Sequence, residues 1–232
     1  MVIITASLMC ASQLYLYRDV HALLKAGIDM FHFDIMDGEF VDNIALNIDL
    51  IKELRQLTYK KLDAHLMVNK PSKYIKKLKQ AGINIIYFHI EADEDPNYVI
   101  DLIKREELEV GIVINPNTPI SAIYPYLEKL NYIMFMTVMP GFSGQEFEQS
   151  VISKIDQFHM YTAHKNYKIK LVADGCINAQ TLDLLSKRGV DIFVGGSSGL
   201  FNRDGFNNNL EMLKRRDKIL RHKLEWRENA IN

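Results

Sequence analysis

A histidine and an aspartate two residues apart, His32 and Asp34, lie in a stretch whose composition predicts a β-strand followed by a loop. Phe, Ile and Met dominate the stretch over 31–40, and Asp37-Gly38 ends it. Alternate residues of a strand point to the same face, so the two side chains would lie about 7 Å apart along one face. An imidazole and a carboxylate on one face can bind a divalent cation. A half-buried strand with a core histidine explains this stretch alone equally well.

The composition is that of a globular protein with a sizeable core. The 232 residues are 48% hydrophobic and 25% charged, and the net charge is −1, so the chain lacks the basic surface expected for nucleic-acid binding. The two cysteines, Cys10 and Cys176, are too few for a disulfide framework and favour buried free thiols in a reducing compartment. No apolar run is long enough to span a bilayer, and residues 1–6 lack the basic region of a signal peptide. We therefore expect a cytoplasmic protein without membrane partners.

Strand-like and helix-like segments alternate along the chain. Apolar runs predict strands over 2–8, 30–36, 61–67, 83–89, 109–114, 132–138, 168–173 and 191–195. Helical spacing predicts helices over 12–26, 49–58, 71–81, 96–104, 120–127, 148–164, 178–187 and 208–222. Ser12 and Asn178 would cap the first and seventh helices. A polar tail follows from about residue 223.

The strand-helix units follow one another without a linker or a composition shift, which predicts a parallel sheet. Eight units in this length fit a closed (β/α)8 TIM barrel, a single α/β domain over 1–232, better than an open doubly wound sheet. The pattern alone allows either. No Gly-x-Gly-x-x-Gly follows the first strand, which weakens a dinucleotide-binding interpretation.

The carboxyl ends of barrel strands form the active face. Two histidines and two aspartates from three predicted strands meet there: His32, Asp34, His65 and Asp174. Nitrogen and oxygen ligands of this kind suit one divalent metal ion, and Zn, Fe, Co and Mn are all compatible. The same strand ends carry a serine and three methionines: Ser7, Met36, Met67 and Met136. Packing in the barrel core explains these methionines equally well.

Glycine-bearing loops after the last three predicted strands could bind a phosphate group. The loops after strands seven and eight, the usual phosphate site of a barrel, carry Gly175, Cys176, Gly196, Ser197 and Ser198. Ser198 would begin a short helix whose free N–H groups face an anion. The loop after strand six adds Gly141, Phe142, Ser143 and Gly144. An ordinary turn explains each loop singly, but three at one end of a barrel favour phosphate.

Taken together, these motifs resemble the ribulose-phosphate 3-epimerase family. The matching segments lie at 7–10, 31–38, 65–67, 136–145, 174–178 and 196–197, so the resemblance covers nearly the whole chain. Ser-Leu-Met-Cys at 7–10 and Ser-Gly-Leu-Phe-Asn at 198–202 are more similar to the D-allulose-6-phosphate 3-epimerase branch. Three positions depart from the family pattern. Ala6 and Asp42 stand where proline is usual, and Met139 replaces an acidic or polar residue beside the loop at 141–145.

The resemblance implies a barrel of the ribulose-phosphate-binding type that inverts C3 of a ketose phosphate through an enediolate, with a divalent metal. It implies Asp34 and Asp174 as an acid/base pair that also binds the metal with His32 and His65. Ser7 and His65 would bind the substrate, the three methionines would cap the enediolate, and the loop at 141–145 would act as a lid.

The implied substrate is D-allulose 6-phosphate, which would be converted to D-fructose 6-phosphate. The alternative is D-ribulose 5-phosphate of the pentose phosphate pathway. The resemblance also suggests a homodimer or a larger homo-oligomer.

Two other functions would fit a barrel with metal and phosphate sites. A metal-dependent aldolase or decarboxylase would stabilise the same enediolate but break a C–C bond. Schiff-base chemistry needs a lysine at a strand's carboxyl end, whereas Lys61 and Lys168 begin their strands. A non-catalytic sugar-phosphate binder would lose one carboxylate, but Asp34 and Asp174 are both present. The sequence therefore favours a 3-epimerase.

Overall fold

A computed structural model describes residues 2–45, 48–202 and 205–215. Its nine strands include eight that pair only in parallel with one another, and a two-residue strand that pairs antiparallel at the edge. The strands are β1 (Ile3–Ser7), β2 (Met30–Asp37), β3 (Ile44–Ala45), β4 (Lys61–Met67), β5 (Ile85–His89), β6 (Glu109–Ile114), β7 (Tyr132–Met136), β8 (Lys170–Asp174) and β9 (Ile192–Gly195).

The eight parallel strands close into a barrel. Strand order is β1-β9-β8-β7-β6-β5-β4-β2, and β1 also pairs with β2, which removes both open edges. The closing pairs are Ala6 with Phe31 on one side of β1 and Ile4 with Phe193 on the other. The prediction of a (β/α)8 TIM barrel is therefore confirmed, and the open doubly wound sheet is wrong.

Helices cover the outside of the barrel. They are α1 (Leu16–Ala26), α2 (Ile48–Leu57), α3 (Ser72–Ala81), α4 (Pro96–Arg105), α5 (Ser150–Thr162), α6 (Ala179–Ser186) and α7 over 206–215. Short 3-10 helices occupy Leu8–Cys10, Gln13–Tyr15 and Ile120–Lys129. Within the part of the chain that is described, no helix is long and apolar enough to cross a membrane. The predicted polar tail from about residue 223 lies outside the described residues, and the single-domain span of 1–232 stays a prediction.

Local hydrogen bonds explain where several elements begin and end. Asn178 caps α6 as predicted, because its side chain accepts from the N–H groups of Gln180 and Thr181. The predicted cap at Ser12 is wrong: its side chain makes no cap hydrogen bond, and a 3-10 turn precedes α1. Strand β5 starts two residues later than predicted, since the Ile83 N–H still donates to Leu78 O at the end of α3.

The predicted helix at Ser198 is also wrong. Residues 197–201 form a turn in which the Gly196 carbonyl accepts hydrogen bonds from the N–H groups of Gly199, Leu200 and Phe201. One carbonyl therefore serves several donors, and the repeating pattern of a helix does not develop. The turn still places Ser198 at the carboxyl end of β9.

The core has two layers. One lies between the strands and the surrounding helices, and the other fills the barrel interior with side chains such as Tyr87, Met134 and Val172. Gly111 on β6 makes room for the Tyr87 ring, because a Cβ atom at Gly111 would lie 2.4 Å from Tyr87 Cδ1. Above this packed interior, at the carboxyl ends of the strands, polar residues replace apolar ones.

Candidate active site

Four polar side chains meet inside the carboxyl end of the barrel. Asp34 on β2 is in register with His65 on the neighbouring β4, and Asp174 comes from β8. One ligand atom from each of His32, Asp34, His65 and Asp174 lies within 4.8 Å of all the others. His32 Nε2 is 3.3 Å from Asp34 Oδ1, and His65 Nδ1 is 3.3 Å from Asp174 Oδ2. The residues that were predicted to bind a metal are thus brought together.

The histidine nitrogens that face this cluster have no hydrogen-bond partner among the described residues. His32 Nε2 and His65 Nδ1 are both buried, and both are unsatisfied. A buried nitrogen without a partner normally costs free energy, and metal coordination would satisfy its lone pair. Two nitrogens and two carboxylates therefore form a group that could hold a divalent ion.

The histidines and carboxylates of the cluster shift one another's pKa values. Burial disfavours the charged form of His32, but the carboxylates of Asp63 and Asp34 outweigh burial and raise its pKa well above the usual value. Burial likewise favours protonated Asp34, yet His32 and His65 lower the pKa of Asp34 far below its usual range. The negative carboxylates therefore favour positive charge in the space between these side chains.

A buried aspartate that the sequence analysis missed fixes the orientation of His32. Asp63 on β4 is fully buried, and its Oδ1 hydrogen-bonds His32 Nδ1 while its Oδ2 accepts from Thr5 Oγ1 at 3.0 Å. Because Asp63 holds the Nδ1 proton, His32 would keep that proton when a metal binds and would offer the lone pair of Nε2 to the metal. The signal was available, since Asp63 precedes His65 by two residues and so shares its face of the strand.

A second histidine–carboxylate pair, also missed, lies behind His65. His65 Nε2 is 2.8 Å from His89 Nε2, and His89 Nδ1 is 3.2 Å from Glu91 Oε2. Burial lowers the pKa of His89 to about 4. His89 ends β5, so the strand-end criterion that selected His65 could have selected it as well.

A cleft opens above the cluster. The predicted site residues that line it are Ser7, Asp34, Met36, Met67, Met136, Gly141, Phe142, Ser143, Gly144, Asp174, Gly175, Cys176, Gly196, Ser197 and Ser198. His32 and His65 are fully buried and are not among the lining residues. Contact between His65 and a substrate therefore stays a prediction.

The three methionines and Ser7 lie where the sequence analysis placed them. Met36, Met67 and Met136 are buried at the cleft and cover its inner wall with apolar surface. The Ser7 hydroxyl donates to Asp34 Oδ2 at 2.7 Å. The hydroxyl oxygen keeps acceptor capacity for a substrate hydroxyl while it holds the carboxylate.

Both cysteines are free thiols in the structure, and both line the cleft. They are partly exposed, so the prediction that they are buried is wrong. Burial nevertheless raises the pKa of the Cys10 thiol, and the nearby Asp34 carboxylate adds to this effect. A thiol with a raised pKa stays protonated and is a weak nucleophile.

The loop at 139–145 forms one wall of the cleft and is fastened by amide side chains. Gln145 Nε2 donates to the carbonyls of Met139 at 2.7 Å and Phe142 at 2.8 Å. Asn43 Nδ2 donates to the carbonyl of Gly141 at 2.8 Å. The Gln145 hydrogen bonds lie within the loop and fix its shape, and the Asn43 hydrogen bond joins the loop to the segment after β2.

A closed parallel barrel with a polar cluster and a cleft at the carboxyl ends of its strands has the architecture of a TIM-barrel enzyme. Residues 3–201 match the model of the ribulose-phosphate 3 epimerase family, and the chain belongs to this family. It is therefore an isomerase of the carbohydrate epimerase class, EC 5.1.3.-.

Curated relatives support the same family. The chain is 35% identical to ribulose-phosphate 3-epimerase from Bacillus subtilis over 199 residues, which is 85% of this chain and 92% of the relative. It is 34% identical to the enzyme of that name from Methanocaldococcus jannaschii, over 92% of this chain and 90% of the relative. For the Escherichia coli K12 enzyme of that name, the identity is 31% over 91% of this chain and 94% of the relative.

Solved structures with little sequence identity share the fold. KGPDC from Streptococcus mutans superposes with a TM-score of 0.69 at 12% identity, covering 95% of this chain and 99% of that one. 3-Hexulose-6-phosphate synthase from Salmonella typhimurium gives a TM-score of 0.67 at 13% identity, over 95% of this chain and 100% of that one. At this identity the likeness shows the barrel fold alone.

Proposed function

We propose that this protein is a metal-dependent 3-epimerase that interconverts D-ribulose 5-phosphate and its C3 epimer. The names of the curated relatives favour this five-carbon substrate. The observation that carries the mechanism is the approach of Asp34 Oδ1 and Asp174 Oδ2 to the same two unpartnered histidine nitrogens. A bound Zn, Fe, Co or Mn ion would supply positive charge to stabilise the enediolate that forms from C2 and C3.

Inversion at C3 requires a proton to leave one face of the carbon and another to arrive at the opposite face. One carboxylate cannot easily reach both faces, so we assign the two transfers to Asp34 and Asp174. One of them removes the C3 proton as a base, and the other, protonated, delivers a proton to the other face. The roles exchange when the reaction runs in reverse.

The remaining lining residues suit substrate binding and water exclusion. Met36, Met67 and Met136 would cover the enediolate with soft apolar surface and keep water from protonating it. Gly175, Gly196 and Ser197 line the cleft, and their backbone amides, with the Ser197 hydroxyl, would suit a phosphate group. The loop at 141–145 would close over the bound sugar.

D-allulose 6-phosphate is the second candidate substrate. The two segments that resemble the allulose branch both reach the cleft, because Met9, Cys10 and Ser198 are among its lining residues. They therefore lie where they could influence the length of the sugar that fits. The preference for a six-carbon sugar that the sequence analysis expected stays a prediction.

The test compares kcat/KM for the two sugar phosphates, each with and without a chelator. We expect turnover to depend on metal and to favour D-ribulose 5-phosphate, whereas preference for D-allulose 6-phosphate would move the protein to the six-carbon branch. Asp174→Asn should nearly abolish turnover with the fold intact, and Asp156→Asn on the surface serves as the control. Near wild-type turnover of Asp174→Asn would contradict the acid/base assignment. Failure to turn over either sugar would contradict the epimerase proposal.

The oligomer implied by the resemblance and the cytoplasmic location expected from the composition also remain predictions. Size-exclusion chromatography coupled to light scattering would measure the first, and fractionation of the source cells would measure the second.

A further inference from the structure

A chain of polar groups, buried at its inner end, runs outward from the candidate metal cluster through β5. His65 and His89 are fully buried, and their Nε2 atoms lie 2.8 Å apart. The next link joins His89 Nδ1 to Glu91 Oε2 at 3.2 Å. Only His65 belongs to the cluster, so the two outer residues have no place in the mechanism described above.

Counting hydrogens along this chain leaves one arrangement that is compatible with a bound metal. A neutral imidazole carries one N–H, and metal binding through Nδ1 of His65 requires a lone pair on that atom. The proton of His65 then lies on Nε2, and His89 Nε2 must accept it. The proton of His89 consequently lies on Nδ1, where it faces Glu91.

Glu91 is held so that it can only accept a hydrogen bond from His89. Its Oε1 accepts from the backbone N–H of Asn115 at 2.9 Å and from the hydroxyl of Thr118. These two donors fix the carboxylate and direct Oε2 toward the imidazole. An ionised carboxylate is an acceptor only, so it selects the Nδ1–H form of His89.

We propose that His89 and Glu91 are positioning residues that fix the tautomer of His65 and thereby aim its Nδ1 lone pair at the metal. This inference rests on the proposed metal site. His32 is oriented by a single residue, Asp63, and it faces the metal site with Nε2 rather than Nδ1. The two ligand histidines therefore use opposite ring nitrogens, and each has its own carboxylate behind it.

Glu91→Gln should reverse the direction of both hydrogen bonds that join Glu91, His89 and His65, without changing the shape of the side chain. The Asn115 N–H and the Thr118 hydroxyl require an acceptor, so the amide oxygen takes that position and the NH2 group faces His89. His89 Nδ1 must then accept, which moves its proton to Nε2. His65 Nε2 becomes the acceptor in turn, and its own proton moves to Nδ1, inside the metal cluster.

Two measurements test the proposal. We expect Glu91→Gln to weaken metal binding about 10–100-fold in a chelator competition. We also expect ¹⁵N chemical shifts of the zinc-loaded wild type to show His65 protonated on Nε2 and His89 protonated on Nδ1. Glu94→Gln is the matched control, because Glu94 also accepts two hydrogen bonds, both from Ser72, and should leave the metal affinity unchanged.

His89→Gln separates orientation from packing. A glutamine amide can accept from His65 and donate to Glu91, so it should preserve most of the metal affinity, whereas His89→Ala should weaken metal binding. If Glu91→Gln does not fold, the metal affinities of His89→Gln and His89→Ala test the proposal instead. Wild-type metal affinity in Glu91→Gln, a zinc-loaded wild type with His89 protonated on Nε2, or equal losses of affinity in His89→Gln and His89→Ala would overturn the proposal. A wild-type protein that binds no metal would instead overturn the proposed function.

Discussion

Replacing Gly175 by alanine would test how tightly the loop after β8 must pack against the loop after β7. Gly175 has φ +108°, and a Cβ atom there would lie 2.5 Å from Val138 Cγ2 and 3.0 Å from the Val138 backbone nitrogen. Real atoms do not approach so closely, and the stiff Val138 side chain cannot swing aside. The loop would have to move, although hydrogen bonds from Thr137 to the carbonyls of Asp174 and Gly175 oppose that movement.

The expected cost has two parts. Forcing an L-residue into a left-handed backbone costs about 1–2 kcal/mol, and overpacking a filled site costs about 1–3 kcal/mol. Gly27→Ala isolates the first part, because Gly27 has φ +83° and its Cβ would meet no atom of the described chain within 4 Å. The difference between the variants is therefore about 1–3 kcal/mol, which corresponds to about 2–12 °C in Tm.

Thermal unfolding followed by circular dichroism, together with steady-state kinetics, would measure both effects. We expect Gly175→Ala to have the lower Tm and a raised KM for the sugar phosphate, because Gly175 and Val138 both line the cleft. Gly27→Ala, at the distant end of α1, should leave KM unchanged. Equal Tm values for the two variants would refute the packing argument, and an unchanged KM in Gly175→Ala would refute the proposed phosphate site.

Three further predictions concern the metal and the cleft wall. Asp63→Asn should weaken metal binding about 10–100-fold, since a neutral amide supports His32 less strongly. A chelator titration would check this, with Asp191→Asn as the control. His65→Ala should reduce bound metal in elemental analysis, and unchanged stoichiometry would remove His65 from the ligand set. Gln145→Ala removes two hydrogen bonds that hold the loop at 139–145; it should raise KM several-fold and change stability by less than about 0.5 kcal/mol. An unaltered KM would argue against a role for that loop in binding.

The fold followed from the sequence because its signals are local. Apolar runs and helical spacing located all eight barrel strands, and the cap at Asn178 could be predicted from one side chain and its neighbours. The errors at Ser12 and Ser198 share a cause. Each residue type favours a helix start, but the backbone there forms a 3-10 helix or a turn, and the preference of one residue does not decide between these conformations.

The metal-ligand residues could be predicted from rules that act within one strand, whereas the contacts of the residues behind them could not. Strand alternation and the carboxyl-end rule were sufficient to choose His32, Asp34, His65 and Asp174. The supporting contacts depend on how side chains meet across strands. The contact from Asp63 to His32 joins β4 to β2, and that from His89 to His65 joins β5 to β4. Such contacts depend on the register between neighbouring strands, which cannot be read from the sequence of one strand.

Closure of the barrel is what allows the two carboxylates to work as a pair. In the sheet, β9 and β1 separate β8 from β2, so along the strands' hydrogen-bonding direction Asp174 and Asp34 are about 14 Å apart. The ligand atoms of the two side chains nevertheless lie within 4.8 Å of each other. They meet because the curved sheet directs both into one interior from different sides. An open sheet would leave them side by side on one surface, where they could not reach opposite faces of C3, so the proposed epimerisation depends on the closed fold itself.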